Sequence, residues 1–162
     1  MFNNNFGRKE MKYKIIPIDI YCRDILVVFG DVAFLRKAIR KYHTQEQTDA
    51  IMNGCNFDNN QKGKTIYSSY HNAFILWLNH TPQSAFDMQF LAHEIFHAAN
   101  AILVAIGVNL SYDSEEAYAY LIGFLTKRII EEFSICSFEK SSDPCRVLAS
   151  AQTQQGCEPA TE

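Results

Sequence analysis

Phe90-Leu91-Ala92-His93-Glu94-Ile95-Phe96-His97-Ala98-Ala99 is the stretch from which the rest of the chain is read. Two histidines stand four positions apart, and an acid directly follows the first. On an α-helix, positions i and i+4 lie about 6 Å apart along the axis and about 40° apart around it, so His93 and His97 can chelate one ion together. Glu94 falls about 60° round from His97, beside such an ion rather than on it. A carboxylate placed there can take a proton from a zinc-bound water, whose pKa the metal brings to about 7.

Hydrolytic zinc sites use three protein ligands and keep one position open, so an acid is expected downstream. Glu116 is the choice. It opens a second helical pattern, Glu115 to Leu125, and Ala119 and Gly123 follow at i+3 and i+7 on its own face. Small residues there let this helix approach the first closely enough for a carboxylate to reach the ion. A first helix running to Ile106 ends about 14 Å beyond His97. The linking residues Gly107 to Asp113 span at most roughly 23 Å and can climb back to close that gap. Glu115 and Asp113 are alternative ligands. With Asp113 as N-cap, Glu116 occupies N3 and the pair is simply a capping box.

This His-Glu-x-x-His pattern with a Glu on a following helix resembles the gluzincins, a zincin group of metallopeptidases. Within that group the chain is most similar to the small, single-domain minigluzincin and phage or prophage peptidases, including those that cleave phage repressors. The resemblance covers roughly Asn72 to Leu125, with the apolar run Ala73-Phe74-Ile75-Leu76-Trp77-Leu78 before the helix and Glu116-Ala117-Tyr118-Ala119 after it. It implies a zincin-like fold, Zn2+ as cofactor, His93, His97 and Glu116 as ligands, and Glu94 as general base. The metzincin branch is excluded, because Asn100 and Leu103 stand where its glycine and third histidine would be.

The 162 residues make one domain's worth of chain, and 48% hydrophobic with 13% aromatic residues supplies a core. A net charge of -3 and a pI near 5.9, without a basic stripe, give no electrostatic reason to expect nucleic acid. Met1 to Lys14 is polar and unlike a signal peptide, and the apolar run Ala98 to Leu110 is too short to span a bilayer. Five cysteines, Cys22, Cys55, Cys136, Cys145 and Cys157, include no Cys-x-x-Cys pair. They read as reduced thiols in a cytoplasm.

Met1 to Glu10 is Asn-rich and expected to be loose. Tyr13 to Tyr21 and Ile25 to Phe29 read as a hairpin around Cys22-Arg23-Asp24. Asp31 caps a helix from Val32 to about Tyr42, with Phe34, Leu35, Ala38 and Ile39 inward and a solvated basic face. His43 to Lys64 reads as a loop around a short helical turn at Asp49 to Met52, and as a cover for the cleft. Thr65 to Tyr70 and Ala73 to Leu78 are two further strands. In zincin-like enzymes such an edge strand lies along the cleft, where an extended peptide adds through backbone bonds. Phe74, Leu76 and Leu78 are therefore the expected substrate-binding residues. Thr81 as N-cap and Pro82 at N1 start the histidine-bearing helix, which buries Phe86, Leu91, Ile95, Ala98, Ile102 and Ile106 and stops at Gly107. The second helix runs from about Ser114 to Phe133, and the Ser- and Gln-rich tail is expected to be flexible.

The expected fold is α+β, a small antiparallel or mixed sheet packed on helices, in one domain over 11–138 between flexible segments 1–10 and 139–162. The expected function is a zinc-dependent peptidase acting on a peptide or protein, with no nucleic-acid or membrane partner. Tyr112, Tyr120 and His80 are candidate donors to the tetrahedral oxyanion. Two alternatives stand beside this reading. One is a catalytically silent zincin-fold binding protein of a phage or mobile element; the other is a metal-free helical interaction protein.

Overall fold

The structure is a computed structural model and describes residues 11–58 and 60–135. The expectations for 1–10 and for 139–162 lie outside the described residues. β1 (Lys12–Ile18) and β2 (Arg23–Phe29) form the expected antiparallel hairpin, in register from Lys12 opposite Phe29 to Ile18 opposite Arg23. A single 3-10 turn, Asp19–Tyr21, joins them, and Cys22 closes it at φ 49°. α1 (Val32–Ile39) follows; its N-cap Asp31 accepts from the Phe34 amide at 2.7 Å.

α2 (Gln45–Asn53) is a complete helix where only a turn was expected. Thr44 and Gln47 form a reciprocal capping box, which satisfies the first amides of a segment too polar to show a clear apolar stripe. Arg36 of α1 pairs with Asp49 of α2, so the basic face of α1 is partly spent on its neighbour rather than simply solvated. β3 (Gly63–Ser68) and β4 (Ala73–Leu78) are antiparallel to each other. β4 lies parallel to β2, which gives a mixed four-stranded sheet in the order β1, β2, β4, β3. Parallel neighbours need a long crossover, and α1, α2 and β3 supply it.

Helices cover both faces of this α+β fold. α3 (Ala85–Ala105) and α4 (Glu115–Phe133) bury Leu91, Ile95, Ile102, Leu121 and Leu125 against Ile16, Val27, Phe74, Leu76 and Leu78. α1 and α2 bury Leu35, Ile39 and Ile51 against Leu26, Val28, Ile75 and Trp77. A strand buried on both faces is apolar throughout rather than alternating, and every residue of β4 is buried. This corrects the expectation that β4 borders the cleft. Phe74, Leu76 and Leu78 are core residues of an internal strand, and the open edge on that side belongs to β3. α2 packs on the sheet face opposite α3, so of the stretch His43 to Lys64, expected as a cover, it is the end from Asn60 to Lys64 that borders the cleft. No described helix is long and apolar enough to cross a membrane.

α3 starts later than Thr81 and Pro82 suggest. Its N-cap is Ser84, whose hydroxyl accepts from the Asp87 amide at 3.2 Å. Phe86, expected inside, is 64% exposed and meets only the edge of Phe90 among the described rings, and Ile106 is exposed at the other end. Asp87 collects the first turn: it accepts from the Ser84 hydroxyl at 2.8 Å and the Gln83 amide at 3.0 Å, and pairs with His80 Nε2 at 3.0 Å. Burial pushes this carboxyl up, but those hydrogen bonds and the His80 charge outweigh it and bring Asp87 down to about 2.

A carboxyl depressed below its ordinary 3.8 stabilises the folded state above that value, and the contribution is lost as pH falls through about 2. Asp87→Asn should therefore lower the urea midpoint at about pH 6, and the wild-type and variant midpoints should converge as pH approaches about 2. Parallel curves across that window would show that Asp87 carries no such linkage.

Candidate functional site

α3 turns Leu91, Ile95, Ala98, Ala99, Ile102 and Leu103 into the core, which leaves His93 and His97 exposed at one border of the buried stripe. Their rings meet with Nε2 to Nε2 at 3.0 Å. Two nitrogens each about 2.0–2.1 Å from one tetrahedral zinc stand roughly 3.3 Å apart, so the pair is arranged as such ligands are. Glu94, between them in sequence, is only 7% exposed.

That burial is made possible by β3. The Thr65 hydroxyl lies 2.8 Å from Glu94 Oε2 and 2.9 Å from the Glu94 backbone oxygen. Gly63, two residues earlier on the same face of the strand, leaves space for the acid: a Cβ at that position would meet Leu78 Cδ2 at 2.5 Å and Glu94 Cγ at 3.0 Å. Glu94 Oε1 accepts no hydrogen bond from the described residues and is not among their buried, partnerless atoms, so it opens to the cleft.

The cleft has two lobes that meet at Gly63, His93 and Glu94. One, of about 410 Å³, is lined also by Gln61, Thr65, Tyr67 and His97; the other, of about 480 Å³, is lined by Asn60, Lys62, Gln89 and Phe90. Together they follow β3. The Asn79 amide donates to the Lys62 carbonyl at 2.9 Å, and antiparallel alternation then aims the backbone groups of Gly63, Thr65 and Tyr67 away from β4. The edge facing the cleft is unpaired by any described strand. Gln61 Oε1 is buried without a hydrogen-bond partner among the described residues, and Tyr67, stacked on Phe74 at 4.8 Å, brings a phenol to the cleft.

The other expected site residues lie elsewhere. Glu116 and Glu115 are exposed on α4 and Asp113 is exposed in the 3-10 turn before it; none of them joins the imidazoles. The packed face of α4 carries Tyr118, Leu121, Leu125, Ile129 and Phe133, and Glu116 sits about 200° from Tyr118, on the far side of the helix. Ala119 and Gly123 share that outer side, and a Cβ at Gly123 would meet nothing within 4 Å. Among the described residues no set of three His, Cys, Asp or Glu side chains converges. His80 belongs to the cap of α3, and Tyr112 and Tyr120 are 86% and 76% exposed, away from the cleft lining, so none of the three is placed as an oxyanion donor. Sequence reading missed Gly63, Thr65, Gln61 and Tyr67. The signal available was a Gly-x-Thr opening to a strand, legible only once that strand is known to border α3.

Gly63→Ala should destabilise the fold by about 1–3 kcal/mol, because the new methyl has to displace Leu78 or Glu94. Urea unfolding measures this, and an unchanged midpoint would show that β3 does not approach α3 so closely.

No protein-family model matches this chain, and no curated protein or solved structure is detectably similar to it, so the site is read from its own geometry.

Proposed function

We propose that the chain is a zinc-dependent peptidase in which Glu94 is the general base. The observation that carries this reading is the convergence of His93 and His97 at 3.0 Å beside a buried acid, in a cleft that runs along an unpaired strand edge. The donor set fits zinc in type and spacing for two of its ligands. His93 and His97 would hold the ion, and Glu116, on the outer side of α4, is not proposed as a ligand.

Zinc, when bound, polarises a carbonyl and acidifies a water to a pKa of about 7. The chain's own groups supply the rest. β3 offers the N–H and C=O groups of Gly63, Thr65 and Tyr67 to an extended peptide, which can add as a further strand across the cleft. Glu94 Oε1 takes a proton from the attacking water and then gives it to the departing amine, so one carboxylate serves as base and acid in turn. Tyr67 and Gln61 are among the polar residues lining the cleft and replace Tyr112, Tyr120 and His80 as candidate donors to the oxyanion.

The solvent-facing position of Glu116 favours a second reading. A metal held by two protein groups is a weaker centre than the three-ligand sites of hydrolases, and a zinc-stabilised protein that captures a peptide without cutting it needs no more.

Purified protein loaded with zinc and incubated with a peptide library separates the two. Under the peptidase reading Glu94→Gln keeps its zinc and loses about 10²–10⁴ in hydrolysis. His93→Ala and His97→Ala lose both zinc and the thermal shift that zinc addition produces. Zinc binding without cleavage supports the silent reading. Absence of zinc and of any thermal shift in the wild type excludes both.

A further inference from the structure

Thr65 places one hydroxyl against both ends of Glu94, 2.8 Å from its Oε2 and 2.9 Å from its backbone oxygen. These partners are 29 residues apart in sequence, on different elements, so the contact exists only because β3 and α3 are packed together. We infer that Thr65 is the positioning residue for the general base: its hydroxyl anchors Glu94 Oε2 to β3 and thereby presents Oε1 to the cleft. The inference rests on the peptidase reading of the site.

The chemistry of the hydroxyl supports the assignment. Thr65 carries a single O–H within reach of a carboxylate oxygen and a helix carbonyl, and the carboxylate oxygen is the nearer of the two, at 2.8 Å against 2.9 Å. A hydrogen bond to an ionised acceptor is the stronger kind, and a carboxylate held at one oxygen keeps the other available for proton transfer. Gly63 contributes the space: its missing Cβ lets Glu94 Cγ lie against the strand, so the acid is clamped between a gap and a hook two residues apart. Without the hook, Glu94 can rotate about its side-chain bonds, and proton transfer loses the orientation on which its rate depends. Proton balance is unaffected. The proton leaves water for Oε1 and passes from Oε1 to the amine nitrogen, while Thr65 keeps its own proton throughout.

Thr65→Val keeps the shape and removes the donor, Thr65→Ala does so with a smaller residue should the valine variant not fold, and Thr65→Ser restores the hydroxyl. In the zinc-loaded protein Thr65→Val should lower kcat at least about tenfold, with KM and zinc stoichiometry unchanged, and Thr65→Ser should recover most of the loss. A purely structural contact would not show that kcat-specific loss with serine rescue. A second readout uses metal-free protein. Thr65→Val should lower the urea midpoint in the wild-type background and have little effect when Glu94→Ala is already present. Additive effects in this cycle, or full kcat in Thr65→Val, overturn the inference while leaving the peptidase reading in place. A coupled cycle in a zinc-loaded wild type that cleaves no peptide overturns the peptidase reading, and the positioning role with it.

Discussion

An acid buried in a protein needs a donor, and among the described residues the Thr65 hydroxyl is the one that meets the Glu94 carboxylate. A carboxylate taken out of water without a partner costs several kcal/mol, more than a single apolar side chain of about 1.5–3 kcal/mol returns. The seating of α3 on the sheet therefore has to satisfy two demands at once. Leu91, Ile95, Ala98 and Ile102 have to face the core, and Glu94 has to face the one strand that offers it a hydroxyl. Only a narrow range of rotations about the helix axis meets both. Within that range His93 and His97 come to the border between core and solvent, side by side. The close approach of the two rings is thus a consequence of how the helix is packed, and the acid between them is part of what sets that packing.

Much of this was legible in the sequence. The hairpin of β1 and β2, the Asp31 cap, the extent of α4 and the i, i+4 histidines depend on local patterns, and local patterns carried them. What the sequence did not reveal was which strands neighbour which. β4 reads as an apolar strand next to a hairpin partner, and nothing local says that its other side pairs with β2, because that pairing closes over a crossover more than forty residues long. Its unbroken apolar run is the mark of burial on two faces and so of an internal strand, not of an edge along the cleft. Gly63 and Thr65 were invisible for the same reason. Their residue types acquire meaning from Glu94, which is distant in sequence. α2 was underestimated because its stability resides in a capping box and in the Arg36 to Asp49 pair more than in an apolar stripe.

The misplacement of Glu116 is instructive because two patterns in the same stretch competed. Glu116, Ala119 and Gly123 form a small-residue face, while Tyr118, Leu121, Leu125, Ile129 and Phe133 form a large apolar one nearly opposite. A helix cannot bury both against one neighbour. Each large side chain contributes about 1.5–3 kcal/mol on burial, whereas an alanine and a glycine contribute little, so the large face wins by a wide margin. The losing face carries the acid outward.

What α4 brings to the site follows from that choice. The Tyr118 hydroxyl meets Asn100 at 3.1 Å and the Val108 carbonyl at 3.2 Å, which ties the start of α4 to α3 just beyond His97. Neither lobe of the cleft is lined by a described residue of α4, so the helix acts on the site through that tie to α3. The polar groups beside Glu94 come from the sheet side, from Thr65, Gln61 and Tyr67. Glu94 is itself only 7% exposed, so its anchoring by a single hydroxyl counts for more here than it would in an open, wet site.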